Sequence, residues 1–154
     1  MLAQNLILAS IMVAFTALIH LMGLTFLIWI MRNSKASELA KFSVMRSSTV
    51  IMLVVMGIFA IHTVEVWAYA ALYYELELFD TFEACLYFST SVFTTVGFGD
   101  LVVGPQWRLL TAIESANGFL LLGWSTAFLI SLTGHMRALE HKWLEGGDGG
   151  EEGR

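Results

Sequence analysis

The chain has 154 residues, of which 57% are hydrophobic and only 14% charged. A soluble domain of this length needs more polar surface, so the composition excludes a water-soluble protein and implies a single membrane-embedded domain. The net charge of −5 says less than its distribution, and the lone Cys85 excludes an intramolecular disulfide and any C-x-x-C metal or redox motif.

The first apolar run reaches Met31 with no basic n-region and no small-residue cleavage site. Residues 1–31 are therefore expected to be a retained transmembrane helix rather than a signal peptide. Residues 32–48, "RNSKASELAKFSVMRSS", form a basic connector. Leu39, Phe42 and Met45, with Lys41 and Arg46 close by, allow a short amphipathic helix on the inner membrane face. A solvated linker fits the same residues.

Residues 49–74 make a second span, whose Trp67, Tyr69, Tyr73 and Tyr74 suit an interfacial aromatic belt. Residues 107–133 make a third. All three should be helical, because a spanning segment must satisfy its own backbone hydrogen bonds. The connector and the tail, with Arg137 and Lys142, should be cytoplasmic by the positive-inside rule. The segment between the second and third spans carries Glu75, Glu77, Asp80, Glu83 and Asp100 and should lie outside. This predicts an outside N-terminus and an inside C-terminus. The tail, 134–154, ends "EGGDGGEEGR" and should be largely disordered, with no room for a ligand-sensing domain.

The outer segment holds a shorter apolar piece over 80–93. Asp80 followed by Glu83 resembles a capping box at its start. Such a helix reaches only part-way into a bilayer and stops at "TTVGFGD", residues 94–100. A half-helix entering from outside and a glycine run leading back out describe a re-entrant loop, tolerated at that depth only when it is shielded by protein or lines a watery path. Gly97 and Gly99 permit backbone angles that let successive carbonyls point the same way. Repeated around an axis, such carbonyls replace the water shell of a dehydrated cation, and the Thr95 hydroxyl adds an inner oxygen. Val96 and Phe98 would brace the loop from behind.

This run resembles the selectivity filter of potassium channels, and residues 49–133 resemble their pore module: outer helix 49–74, pore helix 80–93, filter 94–100 and inner helix 107–133. The resemblance implies an all-α membrane protein assembled as a homotetrameric channel. It implies that Thr95, Val96, Gly97 and Phe98 coordinate K+, the permeant ion, with Gly99 and Asp100 closing the outer mouth and Thr94 and Ser91 supporting the loop. Phe98 stands where tyrosine is commoner in the family, so a hydroxyl hydrogen bond behind the filter is missing. Family members carry a bending glycine in the inner helix; Gly118 and Gly123 are the candidates, and close helix packing explains them equally well. Asn117 precedes Gly118 as a cavity candidate. The Glu114 position, with Ser125 and Thr126, resembles bacterial inward-rectifier channels. Glu114 either raises cation concentration in a cavity or bonds behind the filter, where Ser89 and Ser91 offer partners.

Besides Glu114, the ionisable residues deep within the spans are His20, His62 and Glu65. The histidines lie at similar depths, and His62 and Glu65 are one helical turn apart. They are expected to meet, either as a proton-sensitive contact biasing opening or as a satisfied interhelical hydrogen bond. A metal site with three visible ligands is a third option. No span carries an arginine series, so voltage sensing by that route is not expected.

The sequence thus predicts a potassium-selective channel in a multi-pass, bacterial inner-membrane setting. Its partners are copies of itself and lipids, with neither nucleic acid nor organic cofactor. The competing reading is a regulatory subunit, or a component of a potassium-uptake system, built on a pore-loop fold. An enzyme is not expected, since His135 and His141, the other histidines, sit at the inner boundary.

Overall fold

The computed structural model describes the backbone of residues 2–33 and 44–147, and side chains over 2–33 and 49–134. The proposed interfacial helix falls mostly outside these residues, as does the extreme C-terminus. Four helices make up the described chain: α1 (Leu2–Asn33), α2 (Val44–Glu75), α3 (Phe82–Phe93) and α4 (Arg108–Gly147). Three contain stretches long and apolar enough to cross a membrane, Leu2–Asn33, Thr49–Glu75 and Arg108–Gly134. The protein is an all-α, multi-pass membrane protein, with no strand among the described residues.

Local chemistry sets the boundaries. α2 ends where Glu77 adopts a left-handed φ of 53°, with Leu78 N–H donating to the Tyr73 carbonyl and Glu77 N–H to that of Tyr74. This closing pattern satisfies the last carbonyls of a helix. α3 starts later than the 80–93 expected. Thr81 is its N-cap, accepting through its hydroxyl from Ala84 N–H at 3.2 Å. Glu83 then sits in the first turn, where its charge suits the helix dipole but no capping box forms. At 12 residues, α3 is about 18 Å long, too short to span a bilayer.

The expectation of a disordered tail from 134 onward needs correction, because α4 continues to Gly147. The sequence "MRALEHKWLE" consists largely of good helix formers, which carry the described helix through to the glycine pair that follows.

α3 packs between α2 and α4, while α1 lies against both α2 and α4 of its own chain. The buried face of α1 is a stripe of Asn5, Ala9, Met12, Thr16, His20 and Leu24. These positions recur every three or four residues, so they share one side of a helix. Where α1 crosses α2, Gly23 meets the Ile61 side chain and Gly57 meets that of Leu27, leaving no space for a larger residue at either glycine. Close approach through small residues is how helices pack in lipid. One apolar cluster surrounds Tyr69, Tyr73, Phe88, Phe93 and Leu110 around α3, and a second joins Leu24 to Val54, Ile58 and Ile61.

Candidate functional site: an exposed loop braced by buried polar networks

The run Thr94–Asp100 follows α3 directly and is irregular and exposed throughout. Its backbone alternates in hand. Thr95, Gly97 and Gly99 have φ of 63°, 57° and 78°, whereas Val96 and Phe98 do not enter that region. Alternation turns successive peptide planes so that their carbonyls can face one side. Two of the three left-handed positions are glycines, which take this conformation without penalty. The third, Thr95, pays a steric cost of about 1 kcal/mol or more. A threonine in that conformation persists only when its neighbours impose it.

α3 imposes it. Thr94 N–H continues the helical ladder to the Thr90 carbonyl at 3.1 Å, and Thr95 N–H donates to the Val92 carbonyl at 2.9 Å. Ser91, buried at the last turn, then holds the loop twice: its carbonyl accepts from Gly97 N–H at 3.1 Å and its hydroxyl from Phe98 N–H at 3.3 Å. Phe98 has no hydroxyl to reach the helix, and its ring instead stacks on Tyr87 of α3, with centroids 6.3 Å apart and planes 11° from parallel. Tyr87 also donates to Asp100 Oδ2 at 2.8 Å, while Asp100 Oδ1 accepts from Leu101 N–H at 3.0 Å. The hydrogen bond from Tyr87 holds the Asp100 carboxyl below its ordinary range, and the same bond raises the Tyr87 phenol. Tyr87 gave no signal in the sequence, since its role depends on stacking across eleven residues. A cleft of about 420 Å³ lies behind the run, lined by Phe88, Ser91, Val103, Arg108 and Thr111 among others.

Glu114 of α4 is fully buried. Ser89 donates to its Oε1 at 2.6 Å, and the Tyr73 hydroxyl donates to its Oε2. One carboxylate therefore ties α2, α3 and α4 together. Of the two roles open to it, bonding behind the loop matches this burial and lining a cavity does not. Its partners are Ser89 and Tyr73 rather than Ser91.

Asn117 is also displaced from the role expected of it. It does not line a cavity: it is 4% exposed and donates to Thr16 Oγ1 of α1 at 2.8 Å and to the Tyr69 hydroxyl at 3.3 Å. An amide buried beside α1 must find partners there. Gly118 serves close packing, because a Cβ at that position would overlap the Phe93 carbonyl oxygen. Gly123 faces open space within the single chain.

His20, His62 and Glu65 come together at the junction of α1, α2 and α4. Glu65 accepts from His20 Nδ1 at 2.9 Å through Oε1 and from His62 Nδ1 at 2.7 Å through Oε2. His62 Nε2 lies 3.0 Å from Ser125 Oγ. His20 and Glu65 are fully buried, and His20 Nε2 has no partner among the described residues. The three ligand-type atoms lie within 4.8 Å of one another, as a metal site would need, but each is already engaged in a hydrogen bond of ordinary length.

Residues 61–134, which include α3, the loop and most of α4, match the family model described as ion channel. This segment is similar to the ion channel family. The match supports an ion-channel role for this segment, in a protein whose three long apolar helices make it a multi-pass membrane protein. α1 precedes the matched segment and is an addition to the channel domain. Searches of curated proteins and of solved structures returned no match.

Proposed function

We propose that the channel domain conducts K+ passively and selectively through a pore shared by four copies of the chain. The observation that carries this reading is the alternating backbone of Thr95–Gly99, with unshielded carbonyls at the end of a half-helix. Carbonyls in that arrangement replace the hydration shell of K+, with Thr95, Val96, Gly97 and Phe98 as ligands. Thr94, Ser91 and Glu114 brace them, and Gly99 and Asp100 shape the outer mouth. The C-terminal end of α3 points its partial negative charge at the same place, which favours a cation.

Four copies are needed because one loop encloses nothing. Val96 and Phe98 are 54% and 69% exposed in the single chain. Irregular backbone at membrane depth requires covering protein, and neighbouring copies in a closed ring supply it. The cleft behind the loop offers one place for such a neighbour. The orientation is N-terminus outside and C-terminus in the cytoplasm, as the charge distribution favours.

The same proposal makes opening sensitive to protons. Two imidazoles share one buried carboxylate, and histidine is the side chain that ordinarily changes charge near neutral pH.

The test is reconstitution of the purified chain alone in liposomes with K+ or Na+ gradients. A channel gives flux down the K+ gradient and little down that of Na+. An accessory or uptake-system subunit gives neither, and a non-selective pore gives both.

A further inference from the structure

Several contacts in the channel domain converge on a residue with no polar side chain. Phe93 is the last residue of α3, 1% exposed, and the conducting run begins immediately after it. The His62 imidazole lies against its ring, with centroids 5.9 Å apart and planes at 59°. Gly118 of α4 packs closely on its carbonyl, with no space for a methyl group between them. We propose that Phe93 is the positioning residue through which the buried His20–Glu65–His62 cluster acts on the filter. A proton taken up by the cluster then changes conduction at Thr94–Gly97 rather than at the inner end of α4. This inference rests on the reading of the domain as a proton-sensitive potassium channel.

The hydrogen bonds define what a proton does. With both rings neutral, each Nδ1–H donates to one oxygen of the Glu65 carboxylate, and His62 Nε2 accepts from the Ser125 hydroxyl. A proton added at His62 Nε2 turns that atom into a donor. Ser125 must then accept, and its own hydrogen turns to the carbonyl one helical turn back, that of Leu121. The His62 ring is held at both nitrogens, so it moves with this exchange. Phe93 is 1% exposed and its carbonyl lies close against Gly118, which places it to pass the displacement on to the loop.

The groups facing the cluster are few. α1 contributes His20, and α2 contributes His62, Glu65 and, one turn on, Tyr69, whose hydroxyl is bonded to Asn117. α4 offers the Ser125 hydroxyl and the Trp124 ring, 5.3 Å from that of His20. Its one acidic side chain among the described residues, Glu114, lies three turns away and is held by Ser89 and Tyr73. α3 offers Phe93 alone.

The experiment is K+ current through the reconstituted full chain between pH 8 and pH 5, at low and high external K+. The wild-type current should change between these limits. Its midpoint should move with K+ concentration, because an ion bound in one filter conformation stabilises that conformation. His62→Gln should abolish the pH response. Phe93→Leu should keep K+ over Na+ selectivity while weakening the pH response by about fivefold or more, the low end of usual coupling. Ser125→Ala, which removes only a hydroxyl, should shift the midpoint and serves if Phe93→Leu does not assemble. An unchanged pH response in Phe93→Leu overturns the proposal, as does a midpoint indifferent to K+ or to Ser125→Ala. A selective wild-type current without pH dependence refutes this inference and leaves the channel reading standing. No current at all refutes both.

Discussion

Gly97 and Gly99 carry the most specific consequence at the scale of single residues. Their left-handed φ of 57° and 78° is strained for any L side chain, although open space surrounds both in the single chain. Gly97→Ala should therefore act through the backbone, at a cost of about 1–2 kcal/mol per chain, repeated in every copy. The expected result is loss of K+ current with helix content retained, read by single-channel recording beside circular dichroism. Asp100 gives a prediction in pH. Its carboxyl is depressed chiefly by the hydrogen bond from Tyr87, so the folded protein favours the charged form. That contribution is present above the ordinary carboxylate pKa and is lost as pH falls through the depressed folded value. Tyr87→Phe removes the donor and should move acid block at the outer mouth to higher pH, toward an ordinary aspartate. External-pH titration of the current checks this, and an unmoved titration would show that the bond does not matter to the mouth. Thr95 marks the limit of reading at this scale: a threonine does not announce a positive φ, and only the bonds from α3 explain it.

Among the elements, α1 is tied to the channel domain at three levels. Asn5 donates to the Gln106 carbonyl, Thr16 accepts from Asn117, and His20 meets Glu65. Thr16→Val keeps the shape and removes one acceptor, and should lower stability by about 0.6–1 kcal/mol, as interhelical bonds in membranes usually do. Thermal unfolding in detergent reads this, and no change would mean that Asn117 finds another partner. Gly118→Ala should be far more damaging, by about 1–3 kcal/mol, since the added methyl meets backbone rather than a yielding side chain. The half-helix and the run after it were legible from composition, because apolar length and glycine spacing are local properties. The roles of Asn117 and Tyr87 were not, since their partners lie elsewhere in the chain or depend on ring stacking. The polar stripe Asn5, Thr16 and His20 was present in the sequence at helical spacing, but nothing local says which helix it faces. The extension of α4 to Gly147 was hidden by the glycine-rich end, which drew attention from the helix formers before it.

For the molecule as a whole, the proposed pore shared by four copies makes its prediction at the exposed loop, where Val96 and Phe98 are open in the single chain. The closed ring requires that Val96 and Phe98, open in one chain, become covered when copies meet. Light scattering of the purified protein should give the mass of four chains plus bound detergent, and a monomer with K+ flux would contradict the shared pore. The most direct measurement is a structure of the assembly grown with Tl+ or Rb+ in place of K+, located by anomalous scattering. The account predicts a file of ions on the symmetry axis, each ringed by carbonyls of Thr95, Val96, Gly97 and Phe98. Ions absent from that axis, or an axis that residues 95–99 do not line, would contradict it.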